Sequence, residues 1–209
     1  MKCLFIRILT AILAINALSF STHFANAVPE KEAPIASYAS VQEEQEDSTF
    51  TIAMVGDMMV GTTFPVPKLP RNNGENLFDD VRKLLIEADV AAGNLEGTIC
   101  DEEYECAKDS GEYVYAFRMQ PSYVGLFEKA GFDFLSIANN HSHDFGMSGI
   151  RRTMELLDSV GIACAGVKRL CEKTVVERNG VKYGFCAFGH NWYCCNHKSE
   201  KEVLRILRS

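Results

Sequence analysis

Three apolar runs in this chain each end in polar side chains able to ligate a metal. They are TIAMVGDMMVG (51–61), VAAGNLEGTI (90–99) and FLSIANNHSHDFG (134–146). Short, nearly continuous apolar runs predict strands covered on both faces of a sheet. Strands are predicted over 50–55, 89–92 and 132–138, with a fourth over 162–166. Leu77, Val81, Leu84, Leu85 and Ala88 recur at helical spacing, which predicts an amphipathic helix over 76–87. A second helix is predicted from Pro121 to about Ala130, with Gly131 as its stop, and a third over 148–160, ended by Gly161. Residues 62–75 and 97–118 read as loops. Segments 174–178 and 182–188 flank Asn179-Gly180, a hairpin signal, and 199–208 reads as a last helix.

Strands alternating with helices imply βαβ units, a largely parallel sheet and right-handed crossovers. In such a sheet, ligands bind outside the carboxyl ends of the strands. Asp57, then Asn94 and Glu96, then Asn139, Asn140, His141 and Asp144 are thereby delivered to one edge. The fold class expected is α/β.

The first 48 residues break the pattern. Lys2 and Arg7 precede an apolar stretch over 8–20, followed by the small-x-small sequence Ala25-Asn26-Ala27. This reads as a secretory signal peptide over 1–27, or as an N-terminal anchor if uncleaved. The apolar stretch is short for a span of about 20 residues. Either way the body is expected outside the cytoplasm. Residues 28–48 are rich in Glu, Ala, Ser and Pro and read as a disordered linker, leaving 49–209 as the folded domain. The sequence stops inside the last predicted helix, so a C-terminally incomplete version of a longer protein is expected.

At 209 residues, 47% hydrophobic and 23% charged, the composition suits a globular domain with a core. Removing Lys2 and Arg7 with the leader lowers 21 Lys and Arg to 19, against 28 Asp and Glu, for a formal net charge of −9. That excludes a nucleic-acid partner held by bulk electrostatics. An anionic partner remains open, because a bound metal supplies local positive charge.

Beyond Cys3, the seven remaining cysteines of an exported chain read first as disulfides. Cys100 and Cys106 are spaced to staple an acidic loop, and Cys164 and Cys171 another. Cys186, Cys194 and Cys195 then leave an odd thiol. No CxxC pair exists, which counts against a zinc cluster and against thiol redox catalysis. His190 and His197, in FGHNWYCCNH, match no zinc spacing and read as incidental to a disulfide-bearing loop.

Asp57 follows Gly56 at a strand end, where a hard carboxylate suits a divalent cation or, alone, a capped turn. Asn94 and Glu96 are two apart and share a face if the strand continues. ANNHSHDFG is the most specific element: amide oxygen and imidazole nitrogen both ligate metals, and His141 can also protonate a leaving group. Asp144 is suited to orient an imidazole. His143 reads as solvent-exposed. Arg118, in YAFRMQPSY, reads equally as a fork for an anionic substrate or as a surface ion pair.

Together, GDMM (56–59), GNLEG (93–97), YAFRMQP (115–121), ANNHSHDFG (138–146) and GIACAGV (161–167) resemble the CapA family. These are capsule or poly-γ-glutamate biosynthesis proteins related to calcineurin-like metallophosphoesterases. The resemblance spans about 50–190 and implies a metallophosphoesterase-type α/β/β/α sandwich. It implies a divalent cation (Mn, Zn or Mg) held by Asp57, Glu96, Asn140 and His141. His141 would be catalytic or ligating, with Asp144 beside it, and Asn94, Asn139 and Arg118 are the candidate substrate contacts. The implied partners are an anionic surface polymer or its precursor and membrane-bound synthase subunits. Two departures stand out. The phosphoesterase relatives begin Asp-x-His, whereas Met59 stands two residues after Asp57, and their later His-bearing motifs have no good match, His190 included. The expected activity is a metal-dependent hydrolase; the alternative is a non-catalytic polymer-binding or membrane-tethering component.

Overall fold

The structure, a computed structural model, describes residues 49–109 and 115–209; the expected leader and linker lie outside them. Strand β1 (Ile52–Met58) leads through helix α1 (Asp79–Glu87) to β2 (Val90–Leu95). Two short strands, β3 (Thr98–Ile99) and β4 (Arg118–Met119), and helix α2 (Val124–Ala130) precede β5 (Phe134–Ser136). Helix α3 (Gly146–Ser159) then leads to β6 (Ala163–Ala165), the hairpin β7 (Lys173–Arg178) and β8 (Val181–Cys186), and α4 (Glu200–Arg208). Among the described residues no helix is long and apolar enough to cross a membrane.

Four strands form one parallel sheet in the order β1-β2-β5-β6. Alternation along β2 builds the two sides of the core. Ala91 and Leu95 join a large cluster with Leu85 of α1, Phe127 of α2, and Ile150 and Leu157 of α3. Val90 and Ala92 join Phe134, Ala165, Val176 and Phe185 in a second cluster, so the β7–β8 hairpin covers the other face. Its turn holds both Asn179 and Gly180 at positive φ (53° and 76°), as a two-residue hairpin turn requires. The mixed α/β class and the parallel sheet are as expected from sequence.

The differences have physical causes. β1 extends to Met58 rather than stopping at residue 55, so Asp57 lies inside the strand, paired with Asn94 after a register shift between Met54 and Asp57. β1 is also not covered on both faces: as an edge strand it leaves Ile52, Met54 and Val55 38%, 52% and 36% exposed. Its apolar run therefore reports an edge that the described residues do not cover. The predicted loop 97–118 contains β3 and β4, two-residue strands below the reach of periodicity. The expected disulfides are not found: all seven described cysteines are free thiols. Cys100 is buried against Ala116 and Phe145, where burial pushes its thiol up to about 12. Cys164 and Cys171 are neighbours that share a thiol hydrogen bond without a bridge.

Two glycines hold the turn after β5. A Cβ on Gly166 would lie 2.5 Å from Ala138 Cβ, and one on Gly189 would lie 2.8 Å from the Ala138 carbonyl oxygen. Gly166 also sits at φ 123°, a conformation that side chains disfavour. Gly166→Ala is therefore expected to destabilise the fold by about 2 kcal/mol, from backbone strain plus overpacking. Each kcal/mol lowers the thermal midpoint by about 2–4 °C at this chain length. Gly184→Ala, with open space around its Cβ, is the control and should shift the midpoint little.

Candidate functional site

The carboxyl ends of β1, β2 and β5 converge through side-chain amides. Asn94 Nδ2 donates to Asp57 Oδ1 (2.8 Å) and to Glu96 Oε2 (2.9 Å). Asn94 Oδ1 accepts from Asn139 Nδ2 (3.1 Å), which also donates to the Leu95 carbonyl (2.8 Å). Asn139 Oδ1 closes the turn locally, accepting from the His141 backbone N–H (3.0 Å) and from Ser142 Oγ (3.1 Å). Tyr193 grips the same turn, its hydroxyl donating to the Asn139 carbonyl (2.8 Å). Thr98 Oγ1 donates to the His141 and Ser142 carbonyls, linking the turn to β3. Asp57, Asn94, Glu96, Asn139 and His141 are thus brought together as the sequence predicted.

His141 stands at the centre. Its ring packs against Phe117 at 4.4 Å between centroids, and its Nε2 faces Glu96 Oε1 at 3.8 Å. Nδ1 lies 3.0 Å from Asp144 Oδ2 and 3.1 Å from Lys108 Nζ. The Asp144 side chain is fully buried. Its Oδ2 accepts the Phe117 N–H (2.7 Å), and its Oδ1 faces the Lys108 ammonium at 2.5 Å. Asp144 thus lies within hydrogen-bond distance of the His141 imidazole.

Other candidates are placed differently. Asn140 is exposed on the turn, outside this hydrogen-bond network. Arg118 is not a surface fork. It is buried, its Nε donates to Thr63 Oγ1 (2.9 Å), its Nη1 donates to the Glu102 carbonyl (2.9 Å), and its guanidinium lies over Phe64 and Phe145. These contacts assign it to fastening the loop. His143 is not solvent-exposed either: it is half-buried, stacked on Tyr193 at 4.9 Å and edge-on to Trp192, and burial lowers its pKa. His190 and His197 are exposed. Lys108, Thr98, Ser142 and Tyr193 were not singled out from sequence. The available signal for Lys108 was that it is the one basic residue between Asp101 and Phe117.

Among the described residues, no three His, Cys, Asp and Glu side chains form a metal-holding group. The donor set at the strand ends nevertheless fits an oxygen-preferring cation. Two carboxylates share one amide NH₂ group, and Glu96 is raised above the usual carboxylate range by burial and by the charge of Asp57. Like charges converging in a half-buried site favour a cation between them. Asp57 and Glu96 would hold it, and His141 Nε2 is the nearest nitrogen. Beside Asp57 runs an open groove of about 520 Å³, lined by Met59, Lys68, Leu69, Leu77 and Phe78 among others.

The raised Glu96 group binds its proton more tightly in the folded chain than in the unfolded one, so its contribution to stability falls as pH rises through and above the carboxylate range. Glu96→Gln, which keeps an acceptor for Asn94, should raise the thermal midpoint at neutral pH in chelator and leave it unchanged at acid pH. Asn139→Ala should do the opposite at every pH, lowering stability by about 1–3 kcal/mol by unpairing the groups it bridges. Denaturation curves across pH test both.

The family described as bacterial capsule synthesis protein PGA_cap matches residues 51–206. Similar chains include the uncharacterized protein y4sH of Sinorhizobium fredii, 37% identical over 119 residues (56% of this chain, 24% of that protein). The capsule biosynthesis protein CapA of Bacillus anthracis is 28% identical over 154 residues (70% and 36%). The PGA biosynthesis protein CapA of Bacillus subtilis is 26% identical over 121 residues (55% and 30%). The chain thus spans about a quarter to a third of the length of these curated relatives. The match covers three quarters of the sequence and every strand end described above: the chain belongs to the bacterial capsule synthesis protein family PGA_cap.

Proposed function

We propose that this chain is an exported CapA-like domain of capsule or poly-γ-glutamate synthesis, release or attachment, and that it acts there as a metal-dependent hydrolase. The observation that carries this reading is the Asp57–Asn94–Glu96 amide-bridged carboxylate pair facing His141 at the carboxyl ends of parallel strands. The names of the Bacillus relatives speak of capsule and PGA biosynthesis, which supports a surface polymer as the material this domain would act on. The leader over 1–27 supports export. In the sandwich implied by the CapA resemblance, the β7–β8 hairpin would begin the second β layer.

Asp57 and Glu96 would hold a divalent cation (Mn, Zn or Mg). When bound, it supplies charge that polarises a scissile bond and lowers the pKa of water. Asn94 keeps the carboxylates apart and aimed at one point, and Asn139 fixes Asn94. His141 would give a proton to the leaving group at Nε2 or complete the cation site there. Asp144 holds the imidazole from behind, and the Phe117 ring limits water on that side. The groove beside Asp57 has the open form a polymer chain needs, with Lys68 as a contact for an anionic polymer. Membrane-bound synthase subunits would be the partners in the cell.

A second reading rests on the same polar strand ends. In it the same strand ends bind polymer through a cation without cleaving it, and the chain tethers polymer to a synthase complex.

Metal content and thermal shift decide first. Mn²⁺ at 100 times its Kd should stabilise the wild type by about 2.7 kcal/mol. Asp57→Ala should abolish that gain, and Glu96→Gln should reduce it sharply. With metal, poly-γ-glutamate should be shortened, and His141→Ala should slow this by about 10²–10⁴-fold. A well-folded chain without bound metal overturns the hydrolase reading. Polymer binding that is lost on chelation, with no shortening of the polymer when metal is present, supports the tether.

A further inference from the structure

The groove beside Asp57 is open enough for a chain, and its walls decide which kind. We infer that it seats an apolar chain carrying one anionic head, so that the ligand bound there is a lipid-type precursor of the surface polymer and not the finished polyanion. The inference deepens the proposed function and rests on it in one respect: the groove is the way to the strand ends.

Of the groove's lining residues, Asp57 and Lys68 are the only two with charge. The rest of the wall is apolar, and Met59, Leu69 and Leu77 on it are 40%, 48% and 46% exposed. A polymer bearing a carboxylate on each unit finds one cation here. Its further carboxylates face either hydrocarbon or Asp57, with Glu96 beyond it across Asn94. Such groups lose water without gaining a partner. The acidic balance of the chain, 28 Asp and Glu against 21 Lys and Arg, adds a general repulsion. A single anionic head on an apolar chain meets neither obstacle. The head pairs with Lys68, and the chain removes Met59, Leu69, Leu77 and Phe78 from water.

The groove is also built to stay open. Thr62 and Lys68 exchange both of their backbone hydrogen bonds (3.0 and 2.8 Å), which closes the loop that carries Lys68 and Leu69. A Cβ on Gly61 would lie 2.8 Å from Pro70 Cδ and 3.1 Å from the Lys68 carbonyl oxygen, so the two ends of that loop meet closely. Phe78 is held by Phe127 and Phe132, at 5.8 and 5.7 Å between ring centroids. A ligand entering such a preformed wall orders little of the protein, which favours binding. The volume of about 520 Å³ suits a small-molecule ligand. Beyond the groove the surface stays apolar: Leu77, Val81 and Leu84 recur at helical spacing and are all exposed, so a longer chain runs out along α1.

The test is a series of n-alkyl phosphates, butyl to dodecyl, each below its micelle-forming concentration and titrated calorimetrically into the chain in chelator. Affinity should rise about two- to fourfold with each added CH₂ until the groove is full, and inorganic phosphate should bind far more weakly than any long member. Leu69→Ser and Leu77→Ser should flatten the dependence on length. Lys68→Gln should weaken the whole series by about two- to fivefold and keep its slope. Val175→Ser, which removes an exposed apolar side chain from the β7–β8 hairpin, is the control for unspecific adsorption and should change nothing. All four side chains are exposed, so each variant should keep the wild-type thermal midpoint. An affinity independent of alkyl length overturns the inference, as does a slope that survives both leucine variants. Poly-γ-glutamate oligomers that bind more tightly than dodecyl phosphate, and lose that binding in Lys68→Gln, return the groove to the polymer and overturn it too. Adsorption to phosphatidylglycerol vesicles without binding of monomeric alkyl phosphates makes the apolar surface a membrane contact and has the same effect. The expected series without any hydrolysis would keep the groove's ligand and discard the hydrolase reading. Metal-dependent shortening of poly-γ-glutamate by a chain that ignores alkyl phosphates would do the reverse.

Discussion

A carboxylate with no access to water must have partners, and Asp144 is such a group. Its burial organises everything around the histidine turn. Two oxygens draw in the Lys108 ammonium, the Phe117 N–H and the His141 ring, while its backbone carbonyl takes the Ala107 N–H. Desolvating an ion is expensive unless opposite charge and hydrogen bonds replace the lost water. Lys108, Phe117 and Ala107, between β3 and β4, are therefore bound to the turn after β5 at three points. Remove the carboxylate and the loop loses its anchor, the imidazole its orientation and the lysine its counter-ion. Removing the lysine instead strands a buried charge, so neither partner is dispensable.

The strand ends work by a different economy. Asn94 and Asn139 are neutral, and each uses both ends of its amide, so the ends of β1, β2 and β5 meet without adding charge. The charges that remain uncompensated are Asp57 and Glu96. Folding has left negative charge concentrated where a substrate or cation would enter, and neutralised it where access is closed. That contrast, more than any single ligand, separates the site from an ordinary polar turn.

Much of this was legible in sequence, for identifiable reasons. The parallel sheet followed from apolar runs alternating with helical periodicity. The meeting of Asp57, Asn94, Glu96, Asn139 and His141 followed from the rule that parallel strands deliver their carboxyl ends to one edge. What stayed hidden depended on contacts distant in the chain. Lys108 sits 33 residues from His141, in a segment whose composition reads only as an acidic loop. Arg118 carries no local mark of burial; its guanidinium is satisfied by Thr63, which lies 55 residues away, and by the Phe64 and Phe145 rings. His143 looks like any polar turn residue until Trp192 and Tyr193 arrive from beyond the hairpin. The cysteines misled because the export expected from the sequence makes disulfides the default, whereas Cys100 and Cys194 pack here as small apolar side chains.

The outer edge of β1 carries a consequence for the molecule in solution. Among the described residues nothing pairs with that edge, and its side chains at Ile52 and Met54 are apolar and open. Unpaired N–H and C=O groups beside exposed aliphatic side chains form a template on which any extended polypeptide can crystallise as one more strand.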